Sequence, residues 1–88
     1  MIVGNGGREH ALLWKLRRDA PAASFFATHP NGGMASDCEN VEIEATDVET
    51  LSGWAASNRI DLTVVGPEAP LAAGIVDHFE KIGLPIFG

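Results

Sequence analysis

Residues 4–10 are Gly4-Asn5-Gly6-Gly7-Arg8-Glu9-His10, a glycine-rich stretch between the apolar run Ile2-Val3 and a helix-patterned segment that begins at Ala11. A strand, a glycine-rich turn and a helix start aim backbone N–H groups and a positive helix end at one point, which suits a phosphate. Glycine is needed there because a Cβ would forbid the tight turn and would block the phosphate. The stretch therefore predicts a phosphate-bearing ligand, with a purely structural turn as the alternative.

Two common nucleotide-binding motifs do not match this loop. In the dinucleotide motif G-x-G-x-x-G the third glycine corresponds here to Glu9, and the next apolar run ends at Ala27-Thr28-His29 without the ribose-binding acid expected about twenty positions on. A Walker loop would require Gly-Lys-Ser or Gly-Lys-Thr after the glycines. An NAD-dependent dehydrogenase domain is therefore disfavoured.

The composition is that of one small globular domain of 88 residues. Its net charge of -6, with Lys and Arg scattered, offers no electrostatic surface for nucleic acid. No apolar stretch approaches the roughly 18 residues that would span a membrane, and no secretory signal follows Met1, so we expect a cytoplasmic protein. The single Cys38 excludes an internal disulfide, and the three histidines lack metal-ligand spacing, so we predict no metal in this chain.

Strand and helix patterns alternate along the rest of the chain. A leucine stripe predicts a helix from Ala11 that ends before Pro21, and Thr46 with Glu49 forms a capping box for a second helix that fades near Asn58. A third helix is predicted from the Pro67 region to Ile82, with Gly83 just beyond its end. Further strands are predicted over residues 24–27, 40–44, 60–65 and 84–87.

This alternation predicts an α/β, Rossmann-like fold, with a mostly parallel sheet, helices on both faces and right-handed crossovers. Ligands of such folds bind beyond the carboxyl ends of the strands. The loops over residues 4–8, 29–33 and 66–70 each follow a strand, so we expect them to gather at one edge of the sheet and to form one site. The second loop on its own could equally be an ordinary turn.

The third loop contributes a carboxylate, Glu68, between Pro67 and Pro70, which restrict the backbone on either side. Two acceptor oxygens suit the 2- and 3-hydroxyls of a ribose, or an amine. Together with a phosphate at Gly6-Gly7, this predicts a ribose phosphate as ligand. The alternative is that Glu68 only complements a helix dipole.

Four segments together resemble the N-terminal domain of the phosphoribosylamine-glycine ligase family: residues 4–11, Asn31 with Gly33, residues 61–71 and residues 86–88. The resemblance covers nearly the whole chain, in the same order. It implies the pre-ATP-grasp domain of an ATP-grasp ligase of de novo purine synthesis. That ligase joins 5-phosphoribosylamine to glycine through glycyl phosphate, using ATP and Mg²⁺ (or Mn²⁺).

The resemblance also implies that different domains of the ligase have different roles. ATP, metal and catalysis would belong to the remaining domains of the same polypeptide, so this chain would bind no cofactor, would be inactive alone and would contain no catalytic residue. Its role would be to orient 5-phosphoribosylamine. The residues implied in substrate binding are Asn5, Gly6, Gly7, Arg8, Glu9, Asn31, Gly33, Pro67 and Glu68.

Two features depart from the family pattern. His29-Pro30-Asn31 stands where the family usually has Pro-Gly-Asn, and the first strand of the family is typically longer than Met1 to Val3. A stand-alone nucleotide-sensing module without enzymatic activity is the alternative function. An ATP-grasp domain encoded downstream of Gly88 would distinguish the ligase from the sensor.

Overall fold

The computed structural model describes residues 1–88. In chain order its elements are β1 (Ile2–Val3), α1 (Gly7–Asp19), β2 (Phe26–Thr28), β3 (Glu39–Val41), α2 (Val48–Ser57), β4 (Thr63–Val65), α3 (Glu68–Ala72), α4 (Ile75–Lys81) and β5 (Ile86–Phe87). The predicted order of strands and helices is confirmed, although the strands are shorter than predicted and the third predicted helix is divided. None of the helices combines the length and the apolar character needed to cross a membrane.

The central strand of the sheet is β1. The five strands lie in the order β3-β2-β1-β4-β5, and every neighbouring pair is parallel. Ile2 pairs with Ala27 of β2 on one side and with Val64 of β4 on the other. The predicted α/β, Rossmann-like class is confirmed, and the segments that follow β1, β2 and β4 are neighbours at the carboxyl edge.

Apolar side chains pack against both faces of this sheet. Successive residues of a strand point to opposite faces, and Ile2 and Val3 accordingly belong to different clusters. Ile2 packs in a cluster with Leu13 of α1, whereas Val3 packs in a cluster with Leu51 of α2 and Phe79 of α4. Helices therefore cover both faces of the sheet, as predicted.

The third predicted helix is interrupted by Gly74. This residue has a φ of 85°, a left-handed conformation in which other residues suffer a clash of the Cβ, so α3 ends before it and α4 begins after it. The end of α4 at Lys81 agrees with the predicted termination near Gly83, which has a φ of 75°.

The first two helices begin differently from the prediction. The first turn of α1 starts at Gly7, with Gly6 as N-cap, so Arg8 and Glu9 belong to the helix and not to the loop before it. The N-cap of α2 is Asp47 and not Thr46, because Asp47 Oδ1 accepts the hydrogen bond from the backbone N–H of Thr50 at 3.4 Å. The short side chain of aspartate suits this position as well as that of threonine does.

Candidate functional site

A cavity of about 590 Å³ lies at the carboxyl edge of the sheet. Four segments line it, each at or after the end of a strand: residues 4–6 with Glu9 after β1, Thr28 at the end of β2 with His29 after it, residues 44–45 after β3, and Pro67 after β4. The three predicted loops do converge at one edge. The segment after β3 was not predicted to take part.

Hydrogen bonds join the first of these loops to the second. The backbone N–H of Gly4 donates to Thr28 Oγ1 at 2.9 Å, and Asn5 Nδ2 donates to the carbonyl oxygen of His29 at 2.9 Å. In return, Asn31 Nδ2 donates to the carbonyl oxygen of Asn5 at 2.7 Å. The side chains of Asn5 and Asn31 therefore fix the two loops relative to each other.

Asn31 and Gly33 shape the second loop but do not line the cavity. Asn31 Oδ1 accepts hydrogen bonds from the backbone N–H groups of Gly33 at 3.0 Å and Met34 at 3.1 Å, which is the side-chain-stabilised turn typical of asparagine. A Cβ at position 33 would overlap the imidazole of His10. Both residues thus have structural reasons for their identity, independent of any ligand.

The first loop is also joined to the third. Arg8 Nη2 donates to the carbonyl oxygen of Gly66 at 3.0 Å, and the backbone N–H of Gly66 donates to the carbonyl oxygen of Val3 at 3.1 Å. Arg8 remains exposed and is not part of the cavity lining. Its guanidinium therefore links the first turn of α1 to the loop after β4.

Glu9 is the most unusual residue of the site. Only 6% of it is exposed, although it carries a carboxylate, and it lines the cavity. It fits because Gly4 and Gly66 have no side chain: a Cβ on Gly4 would lie 2.5 Å from Glu9 Oε1, and one on Gly66 would overlap the same carboxylate. No residue of the chain donates a hydrogen bond to this carboxylate or forms an ion pair with it.

The start of α1 leaves backbone donors unused. Its N-cap, Gly6, supplies no side-chain hydrogen bond, and the first helical bond runs from the N–H of His10 to the carbonyl oxygen of Gly6. The N–H groups of Gly7, Arg8 and Glu9 have no partner within the chain. Such free N–H groups, at the positive end of a thirteen-residue helix, favour an anion.

The two predicted residues of the third loop lie in different environments. Pro67 is the N-cap residue of α3 and lines the cavity, where its Cδ would lie 2.7 Å from a Cβ on Gly4. Glu68 is the first residue of α3, is exposed, and is not among the residues that line the cavity. Its predicted contact with a ribose stays a prediction.

Sequence reasoning overlooked Thr28 and Glu44 as lining residues. Both occupy positions that the carboxyl-edge rule could have indicated, because Thr28 is the last residue of β2 and Glu44 follows β3 closely. Glu44 Oε1 lies 3.7 Å from His29 Nε2, and both residues line the cavity. The lining therefore contains two carboxylates and one histidine, but no lysine or arginine.

Side chains of the types that bind metals do not cluster in this chain. No group of three or more His, Cys, Asp or Glu side chains is arranged to hold one. The free thiol, Cys38, is half-buried and donates to the carbonyl oxygen of Met34 at 3.4 Å, remote from the cavity lining. The site is therefore built of backbone N–H groups, carboxylates and neutral polar groups.

The family model and the relatives that match this chain refer to the same enzyme. The model of the family described as "Phosphoribosylglycinamide synthetase, N domain" matches residues 1–88. Proteins named phosphoribosylamine--glycine ligase are 53% identical in Pasteurella multocida, 51% in Pseudomonas aeruginosa and 47% in Escherichia coli K12, each over 90 aligned residues. Each alignment covers 100% of this chain but only 21% of the relative, so the chain spans about a fifth of these proteins.

Proposed function

Because the chain belongs to the family of phosphoribosylglycinamide synthetase N domains, we propose that it is the substrate-binding domain of a phosphoribosylamine-glycine ligase. The complete enzyme would join 5-phosphoribosylamine and glycine, with hydrolysis of ATP, to form glycinamide ribonucleotide. The proposed contribution of residues 1–88 is to bind the phosphoribosylamine and to orient its amine for attack on glycyl phosphate. Orientation of this kind lowers the entropic part of the barrier and requires no nucleophile or base from the domain.

The observation that carries this proposal is the convergence of strand-end segments around one polar cavity beside the free N–H groups of α1. A ribose phosphate needs an anion site next to a group of hydrogen-bond acceptors and donors, and this edge offers both. In the proposed site Asn5, Gly6, Gly7 and Arg8 form the phosphate end, with Glu9 nearby. Asn31 and Gly33 support the loop, while Pro67 and Glu68 face the sugar.

The proposal assigns the remaining chemistry to other domains of the same polypeptide. ATP and Mg²⁺ (or Mn²⁺) would bind outside residues 1–88, since this chain offers no suitable cluster of metal ligands. Residues 1–88 alone should therefore bind substrate without turning it over. We also propose a cytoplasmic location, with which the unpaired Cys38 is compatible.

A domain exchange tests the proposed activity. In the Pasteurella multocida ligase, the region aligned with this chain is replaced by residues 1–88, and ATP-dependent formation of glycinamide ribonucleotide from phosphoribosylamine and glycine is measured. We expect the chimera to retain activity within about tenfold of the parent. A folded chimera without activity would contradict the proposal. A chimera carrying a disordered sequence of equal length is the control.

A chemical-shift titration tests the proposed site. Ribose 5-phosphate, a stable substitute for the labile phosphoribosylamine, is added to the ¹⁵N-labelled chain, with NAD and ATP as controls. Shifts confined to residues 5–9, Thr28 and the Pro67–Glu68 region, without any response to NAD, are expected. Clear shifts with NAD or ATP and none with ribose 5-phosphate would favour a nucleotide-sensing module or a dehydrogenase domain instead.

A further inference from the structure

We infer that the Glu9 carboxylate binds the hydrogen-bond-donating part of the sugar phosphate, its hydroxyl or amino groups, while the phosphate stays outside the cavity at the start of α1. This inference rests on the proposed function, because it orients the ligand proposed there. It assigns Glu9 to the sugar end of the ligand.

The burial of Glu9 is the first reason. Glu9 is only 6% exposed as a residue, its carboxylate oxygens are not fully enclosed, and no group of the chain donates to them, whereas most polar groups of buried residues form hydrogen bonds. The side chain is confined beside Gly4 and Gly66, and its free oxygens border the cavity. A hydroxyl or amino group in the cavity would supply the missing donor, because an ionised carboxylate only accepts hydrogen bonds.

The charge of the cavity is the second reason. Glu9 and Glu44 are the charged side chains of its lining, together with His29, which faces Glu44 at 3.7 Å. The guanidinium of Arg8, in the first turn of α1, donates to the carbonyl oxygen of Gly66 and lies outside the lining. A phosphate inside the cavity would therefore be placed against two carboxylates, and like charges at short range repel strongly.

The start of α1 provides a separate place for the phosphate. Gly7 and Arg8 are exposed, and their backbone N–H groups have no partner within the chain. Glu9 belongs to the same helical turn, but its side chain is buried toward the cavity. One turn of helix therefore offers N–H donors to an anion on its outer side and a carboxylate acceptor on its inner side.

Whether Glu9→Gln weakens or tightens ligand binding tests this orientation. Binding of ribose 5-phosphate and of inorganic phosphate is measured by chemical-shift titration of the 88-residue chain, of Glu9→Gln and of Glu49→Gln. Glu49 is exposed near the start of α2, outside the cavity, so it controls for the loss of one charge near a helix start. We expect Glu9→Gln to weaken ribose 5-phosphate binding by about tenfold or more, as for a lost hydrogen bond to a charged group, without weakening phosphate binding. Glu49→Gln should change neither.

The opposite sign would overturn the inference. If Glu9→Gln tightens the binding of ribose 5-phosphate and of phosphate together, the carboxylate lies next to the phosphate, and the proposed function stands while the orientation fails. If the unmodified chain binds no ribose 5-phosphate, the proposed function fails, and the inference fails with it.

A measurement on the unmodified chain covers the case in which Glu9→Gln does not fold. D-ribose, which has no phosphate, should shift the resonances of Glu9 and Thr28, whereas inorganic phosphate should shift those of Gly7 and Arg8. The reversed pattern would equally overturn the inference.

Discussion

Replacing Gly4 with alanine should destabilise the whole domain. Gly4 has a φ of 126°, a conformation that residues with a side chain rarely adopt. The added Cβ would lie 2.5 Å from Glu9 Oε1 and 2.7 Å from Pro67 Cδ. The ring of Pro67 is rigid, and the Glu9 carboxylate could relieve its overlap only by turning into the cavity that it lines.

The expected cost has two parts. A rarely populated backbone conformation costs about 1–3 kcal/mol, and overpacking costs about 1–3 kcal/mol. Allowing for some relaxation, we expect the free energy of unfolding to fall by about 2–4 kcal/mol. A domain of this size has a total stability of about 5–13 kcal/mol. The variant should therefore fold, but with a melting temperature lower by roughly 10–30 °C.

Urea unfolding followed by far-ultraviolet circular dichroism measures this change, and Gly53→Ala is the matched control. Gly53 is exposed in α2, and a Cβ there meets nothing within 4 Å. The same substitution should therefore stabilise the protein, by about 0.5–1 kcal/mol, through helix propensity. A Gly4→Ala variant within about 0.5 kcal/mol of the parent would refute the reasoning.

Asp47→Ala should lower the free energy of unfolding by about 1 kcal/mol, because the cap of α2 is lost. Thr46→Ala should lower it by less than about 0.5 kcal/mol. Equal effects of the two substitutions in urea unfolding would contradict the observed cap. Phe79→Ala should cost about 3–5 kcal/mol because Phe79 is fully buried. Phe87→Ala, at a residue that is 71% exposed, should cost less than about 1 kcal/mol in the same assay. Burial raises the pKa of the Cys38 thiol. The pH midpoint of its alkylation by iodoacetamide should therefore be higher in the native than in the urea-unfolded chain. Identical midpoints would contradict the raised pKa. Because the native state holds this proton more tightly, the associated stability is present below the unfolded pKa and is lost as pH rises through the raised native value.

The sequence alone predicted the succession of elements and the edge at which the loops meet. Apolar runs bounded by glycine and proline marked the strands, and the alternation with helices implied a parallel sheet. Since the carboxyl ends of parallel strands lie together, the convergence of the loops after β1, β2 and β4 followed without any knowledge of side-chain positions.

The features that the sequence did not predict depend on contacts between distant residues or on one backbone angle. Leu71, Ile75 and Phe79 have a spacing that suits one long helix as well as two short ones, and the left-handed conformation of Gly74 decided between them. The resemblance implied that Glu9 binds substrate, but nothing in the sequence indicated its burial, which is possible because Gly66, remote in sequence, leaves space for it. A pattern within a single segment contains no information on such a fit.

The central position of β1 has a consequence for the order in which the domain folds. The hydrogen bond between Gly4 and Thr28 closes a separation of 24 positions, and the one between Arg8 and Gly66 closes 58. Loop-closure entropy must be overcome before such distant pairs gain from contact. The cavity at the carboxyl edge therefore forms only after β4 has docked beside β1, so a nascent chain possesses the glycine-rich loop long before it possesses a binding site.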